Sequence, residues 1–222
     1  MASPILRQAR DMARATRRIL RLSPMCAVIR EVRRRGVAVE QCDALECFAF
    51  TGAMHTLDYA RVVRNLEVWE INPAHEPLLR KHFPGAEVRI TDTYVELARC
   101  TRRFDMIVVD NSPAHGPHIE HFDLFPGVFR LMRDSCVMVL DVIPSMNERV
   151  RRQYPEMFRD ETLRTRAEFY GVADPHVLSE DALVAPYAAC ARRQGYELRW
   201  HFLRKRNSIL TYLVLSVVRG RA

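Results

Sequence analysis

The chain has 222 residues with 48% hydrophobic content, enough for one domain with a full core. Eight Gly and twelve Pro exclude collagen-like and low-complexity classes, and no apolar run approaches the roughly 18 residues of a membrane span. The net charge of +7 is almost all arginine, Lys81 and Lys205 being the only lysines; without interleaved aromatics this argues against a nucleic-acid partner.

Residues 1–38 read as a helical cap. Ile5, Ala9, Met12, Ala13, Ile19 and Leu20 share one helical face, with arginines on the other. Those arginines interrupt the first apolar residues, so no secretory leader is expected. Ser23-Pro24 predicts a break and a fresh start, Met25, Val28, Ile29 and Val32 give a second stripe, and Gly36 closes it. Cys26, Cys42, Cys47, Cys100, Cys136 and Cys190 stand singly with no CxxC pair, which predicts reduced thiols and a cytoplasmic protein.

From residue 42 the period changes. Apolar runs at 44–48, 68–71, 86–92, 104–110 and 136–143 predict strands. Stretches at 55–63, 75–82, 94–101 and 119–132 have helical composition. Strands alternating with helices predict an α/β domain on a parallel sheet over residues 39–222. The charged segment 145–178, with one predicted helix at 148–157, reads as an insertion covering the substrate. Ser179 caps a predicted helix running to about residue 194, with a kink at Pro186 and a stop at Gly195. Segments 196–203 and 209–218 predict an antiparallel hairpin.

Glu46, Glu70, Asp92 and Asp110 lie at or near the carboxyl ends of the first four predicted strands, 24, 22 and 18 residues apart. Ligands bind outside the carboxyl ends of an open parallel sheet, so four acids are expected around one crevice. His115, His118 and His121 are spaced as H-x-x-H-x-x-H, but Gly116-Pro117 breaks a common helical face, and no metal is expected there. His115 is instead a candidate general base, its ordinary pKa lying near working pH.

This arrangement resembles the class I S-adenosylmethionine-dependent methyltransferases. Glu46-Cys47-Phe48-Ala49-Phe50-Thr51-Gly52-Ala53 is similar to that family's acid and glycine-rich turn, with Phe50 where a glycine would stand. Glu70-Ile71 resembles the ribose-binding acid and the residue packing on adenine. Asp92-Thr93 resembles the site for the adenine amine, and Asp110-Asn111 the motif facing the reacting centre. The resemblance implies sheet order 3-2-1-4-5-7-6 and an S-adenosylmethionine site lined by Glu46, Phe48, Ala49, Thr51, Gly52, Glu70, Ile71, Asp92, Thr93 and Asp110. Asp110, Asn111 and His115 are the expected catalytic residues. Residues 110–117, followed by the Phe/Leu-rich stretch 122–131, also resemble the spermidine synthase-like branch.

The function these features imply is S-adenosylmethionine-dependent transfer to a small molecule, most simply methylation. The basic covering segments suggest a carboxylate or phosphate on that molecule. The rival readings are transfer or cyclisation of the cofactor's aminopropyl or aminocarboxypropyl arm, a degenerate binding module favoured by the altered turn, and a nucleic-acid-modifying enzyme favoured by the basic charge.

Overall fold

In a computed structural model, which describes residues 23–111, 114–115 and 118–220 and the side chains of these except 114, 115, 118 and 119, the apolar runs form one sheet. Its strands are β1 (Asp43–Cys47), β2 (Asn65–Glu70), β3 (Glu87–Ile90), β4 (Phe104–Val109) and β5 (Met132–Val142). The hairpin β6 (Tyr196–Lys205) and β7 (Thr211–Arg219) completes it. The order is β3-β2-β1-β4-β5-β7-β6, as expected. β1 to β5 run parallel, and β7 is antiparallel to both its neighbours. No described helix is long and apolar enough to cross a membrane.

β4 and the 136–142 stretch of β5 are buried on both faces because their apolar runs are nearly unbroken, and β1 is buried throughout although it carries Asp43 and Glu46. Ala44, Val68, Met106, Val108, Val139 and Val214 face α1 (Pro24–Arg34), α2 (Thr56–Tyr59) and α3 (Glu76–His82). Leu45, Trp69, Ile107, Met138, Leu140 and Leu215 face the opposite layer, which includes α4 (Thr93–Arg99).

Of the expected N-terminal cap, the structure describes the residues from Ser23 on. Ser23 caps α1, accepting from the Cys26 amide at 3.0 Å, as the Ser-Pro pair predicts. Met25, Val28, Ile29 and Val32 are then buried in one cluster with Tyr59, Met106 and Tyr212. Helix α1 thus lies as a layer on that face of the sheet. The stripe predicted over residues 1–22 lies outside the described residues.

Residues 119–132 do not form the predicted helix. A short ribbon pairs Ala114–His115 with His118–Ile119, and 3₁₀ turns follow at Phe122–Leu124 and Gly127–Leu131. Pro126 lacks an amide and disfavours helical backbone at Phe125, so a continuous helix cannot pass. The 145–178 segment leaves the carboxyl end of β5 and returns to it. The Leu178 amide donates to the Pro144 carbonyl at 2.9 Å, and the Met146 amide to His176 at 2.7 Å. The segment holds α5 (Glu148–Gln153), shorter than predicted because Tyr154 precedes Pro155, and an unpredicted α6 (Asp160–Tyr170). Ser179 caps α7 (Glu180–Arg193), which continues through Pro186.

Candidate active site

The turn after β1 carries left-handed backbone at alternate residues: φ is +63° at Phe48, +52° at Phe50 and +67° at Gly52. A side chain in that region costs roughly 1–2 kcal/mol. Three bonds hold the shape. The Ala49 amide donates to the Trp69 carbonyl at 2.9 Å, the Gly52 amide to Ala49 at 2.8 Å, and the Phe50 amide to Glu70 Oε2 at 2.7 Å. Gly52 is needed for packing on α3: a Cβ there would lie 2.2 Å from Phe83 Cε2. The Thr51 carbonyl accepts from His82 Nδ1 at 2.8 Å.

Glu70 ends β2 and serves two masters. Besides Phe50, its Oε1 accepts from the Asn72 amide at 2.8 Å and faces His75 Nδ1 at 3.1 Å. A carboxylate has about four acceptor positions, so one remains open for a hydroxyl donor. Ile71 is 59% exposed and Phe50 55% exposed, an unusual display of large apolar side chains beside a buried acid. Asp92 caps α4, its Oδ1 accepting from the Tyr94 amide at 2.8 Å. Thr93 is buried beside it.

A buried polar chain crosses the carboxyl ends of β1, β4 and β5. Glu46 is 1% exposed and faces α2. Its Oε1 accepts from Thr56 Oγ1 at 2.9 Å and lies 3.1 Å from His55 Nε2, and its Oε2 accepts from Tyr59. His55 Nδ1 lies 3.3 Å from Asp110 Oδ2. Arg206, from the β6–β7 loop, pairs with both Asp110 and Asp141 and lies over the Tyr212 ring. Burial pulls the His55 pKa down, but Asp110 and Glu46 outweigh it and hold the imidazole above its ordinary value. Burial likewise works against the Arg206 charge, and Asp110 more than restores it. Glu46, His55 and Asp110 could together offer ligand atoms to a metal ion. Arg206 already supplies positive charge beside Asp110. Asp110 itself stays 17% exposed, at the mouth of the crevice.

A second network fixes the loop after β4. Asn111 donates to the Glu120 carbonyl, so its amide positions the loop. Glu120 pairs with Arg166 of α6, which is 0% exposed and also donates to the carbonyls of Pro175, at 3.0 Å, and Ile143. Burial raises the Glu120 pKa, with Arg166 opposing. His121 is buried, 2.5 Å from the Tyr187 hydroxyl, and burial with help from Arg166 lowers its pKa to about 3. The His115 backbone pairs with His118 in the ribbon, and its side chain lies outside the described set.

The structure thus brings the Phe48–Gly52 turn, Glu70, Ile71 and Asp92 to one stretch of the sheet's carboxyl edge, with Asp110 beside them. His55, Arg206 and the Glu120–Arg166 pair were not read from the sequence. A histidine followed by Thr56 and Tyr59 on a helical spacing is the one local signal that could have pointed to Glu46.

No protein-family model matches the chain, and no curated protein matches it by sequence. Solved structures do. Magnesium protoporphyrin IX methyltransferase from Synechocystis PCC 6803 with bound SAH superposes with TM-score 0.57 at 10% identity, covering 99% of this chain and 89% of that one. M. jannaschii TYW2 in complex with AdoMet gives 0.54 at 14% identity, over 86% and 75% of the two chains. The fold is that of the class I S-adenosylmethionine-dependent methyltransferases.

Proposed function

We propose that this chain is an S-adenosylmethionine-dependent transferase acting on a small molecule, most simply a methyltransferase. One observation carries the reading. The turn after β1 holds left-handed backbone at Phe48, Phe50 and Gly52 although two of the three carry large side chains, and the Phe50 amide ties it to Glu70. Strain of this kind persists where the surroundings impose it, and it clusters at ligand sites. The exposed Phe50 and Ile71 offer apolar surface to a purine, and Glu70 keeps one acceptor position for a ribose hydroxyl. Asp92, with Oδ1 committed to α4, offers Oδ2 to an exocyclic amine.

Bound there, the cofactor supplies an electrophilic methyl group on a sulfonium. Asp110 orients the acceptor at the crevice mouth, while Asn111 fixes the loop behind it. The 145–178 segment, pinned by Arg166, limits water at the reacting centre. Titration calorimetry with S-adenosylmethionine and its demethylated product tests the binding; no heat with either refutes it and leaves a degenerate module. Identifying the nucleoside released in the presence of extract tests the reaction. Adenosylhomocysteine supports methyl transfer, and methylthioadenosine replaces it with transfer of the alkyl arm.

A further inference from the structure

Between α5 and the β6–β7 loop lies a depression of about 360 Å³, open to solvent and lined by Asn147, Glu148, Arg149, Arg152, Lys205 and Ser208. Its walls are built, since Val150 of α5 sits in one apolar cluster with Ile209 and Leu210 of the loop. The loop is held internally: Asn207 Oδ1 accepts from the amides of Ile209 and Leu210, both at 2.8 Å. Asn147 in turn caps α5 through the Arg149 amide at 2.9 Å.

The charges around this depression are not balanced. Against the three cations Arg149, Arg152 and Lys205 stands one acid, Glu148, which also meets Arg151 at 3.3 Å in an exposed pair. Arg152 donates through Nε to a backbone carbonyl at 3.2 Å, leaving its terminal nitrogens open. No ion pair is formed by Arg149, Arg152 or Lys205 among the described residues. Like charges gathered on one concave surface repel unless an anion joins them. The place is also specific. Lys205 and Ser208 belong to the same strand end and loop as Arg206, whose guanidinium pairs with Asp110.

We propose that this depression anchors an anionic group, carboxylate or phosphate, carried by the acceptor molecule. Arg149, Arg152 and Lys205 supply the charge, Ser208 a hydroxyl donor, and the far end of the acceptor reaches Asp110. The proposal rests on reading the crevice as an acceptor site. Its binding test is independent of the cofactor.

The experiment is an NMR titration of the labelled chain with inorganic phosphate, pyrophosphate and citrate, which separate phosphate from carboxylate preference. Saturable shifts are expected at the amides of Asn147, Arg149, Arg152, Lys205 and Ser208. Arg152→Gln with Lys205→Gln should weaken that binding about tenfold or more, as lost charge-assisted bonds do. Arg192→Gln with Arg199→Gln, exposed at the opposite end of the sheet, should leave it unchanged. S-adenosylmethionine affinity, measured separately, should stay within twofold in both variants. Absence of saturable shifts, or equal weakening by the two double variants, overturns the proposal. So does a single-stranded oligonucleotide that binds the same residues far more tightly than any small anion, which would make nucleic acid the ligand. Loss of cofactor binding in the parent chain would instead strike the proposed function.

Discussion

Arg166→Met should destabilise the protein severely. The guanidinium is fully buried and donates to three elements: Glu120 after β4, the Ile143 carbonyl at the end of β5, and the Pro175 carbonyl in the returning segment. Methionine matches its bulk but leaves two carbonyls without their donor and the buried Glu120 carboxyl with only the Tyr170 hydroxyl at 3.4 Å. Removing one partner of a buried ion pair costs about 3–5 kcal/mol. For a chain of this length, 1 kcal/mol moves the thermal midpoint by about 2–4 °C, so a fall of roughly 6–20 °C is expected. The loss should also depend on pH. A buried acid whose folded pKa is raised binds its proton more tightly folded than unfolded, so stability falls as pH rises through that value. Burial already raises Glu120, and losing Arg166 raises it further. The deficit should therefore be smaller at pH 5 than at pH 8. Adding Glu120→Gln should recover more than half of it by removing the stranded charge. Thermal unfolding followed by circular dichroism at both pH values reads all of this. A midpoint within about 3 °C of the parent at pH 8, roughly 1 kcal/mol, would refute the reasoning.

Three further outcomes follow from the geometry. Gly52→Ala should cost about 2–4 kcal/mol in urea unfolding, combining left-handed strain with a Cβ driven into Phe83; an unchanged urea midpoint removes the packing argument. The His55 imidazole should titrate above its ordinary value of about 6.5 by NMR, so the stability it contributes is complete below that pH and is lost as pH rises through the raised folded value; a midpoint below the ordinary value shows that burial outweighs Asp110 and Glu46. Asp110→Asn should leave cofactor affinity within a few-fold while cutting turnover by at least about a hundredfold if Asp110 takes the acceptor proton. Asn111→Ala, which frees the Glu120 carbonyl, should act more weakly on turnover and also lower the melting temperature. Turnover that follows only the folded fraction would leave Asp110 a structural role alone.

What the sequence determined by itself is the local grammar. Runs 104–110 and 136–143 are too continuously apolar for a one-sided sheet, and Ser23-Pro24 and Ser179 cap their helices through bonds spanning three residues. Strand-ending acids could be read in register because a βα unit repeats at a nearly constant length. Tertiary structure decided what depends on distant partners. Arg206 meets Asp110 across 96 residues, and Arg166 meets Glu120 across 46. No local period encodes such pairings. Helix α6 was missed for the same reason: it buries Thr162, Arg166 and Tyr170, so its inward face carries no apolar stripe. Phe48 and Phe50 hold a glycine-like backbone because Trp69 and Glu70 on the neighbouring strand accept the turn's amides. Residue identity alone argued against that conformation; the adjacent strand imposed it.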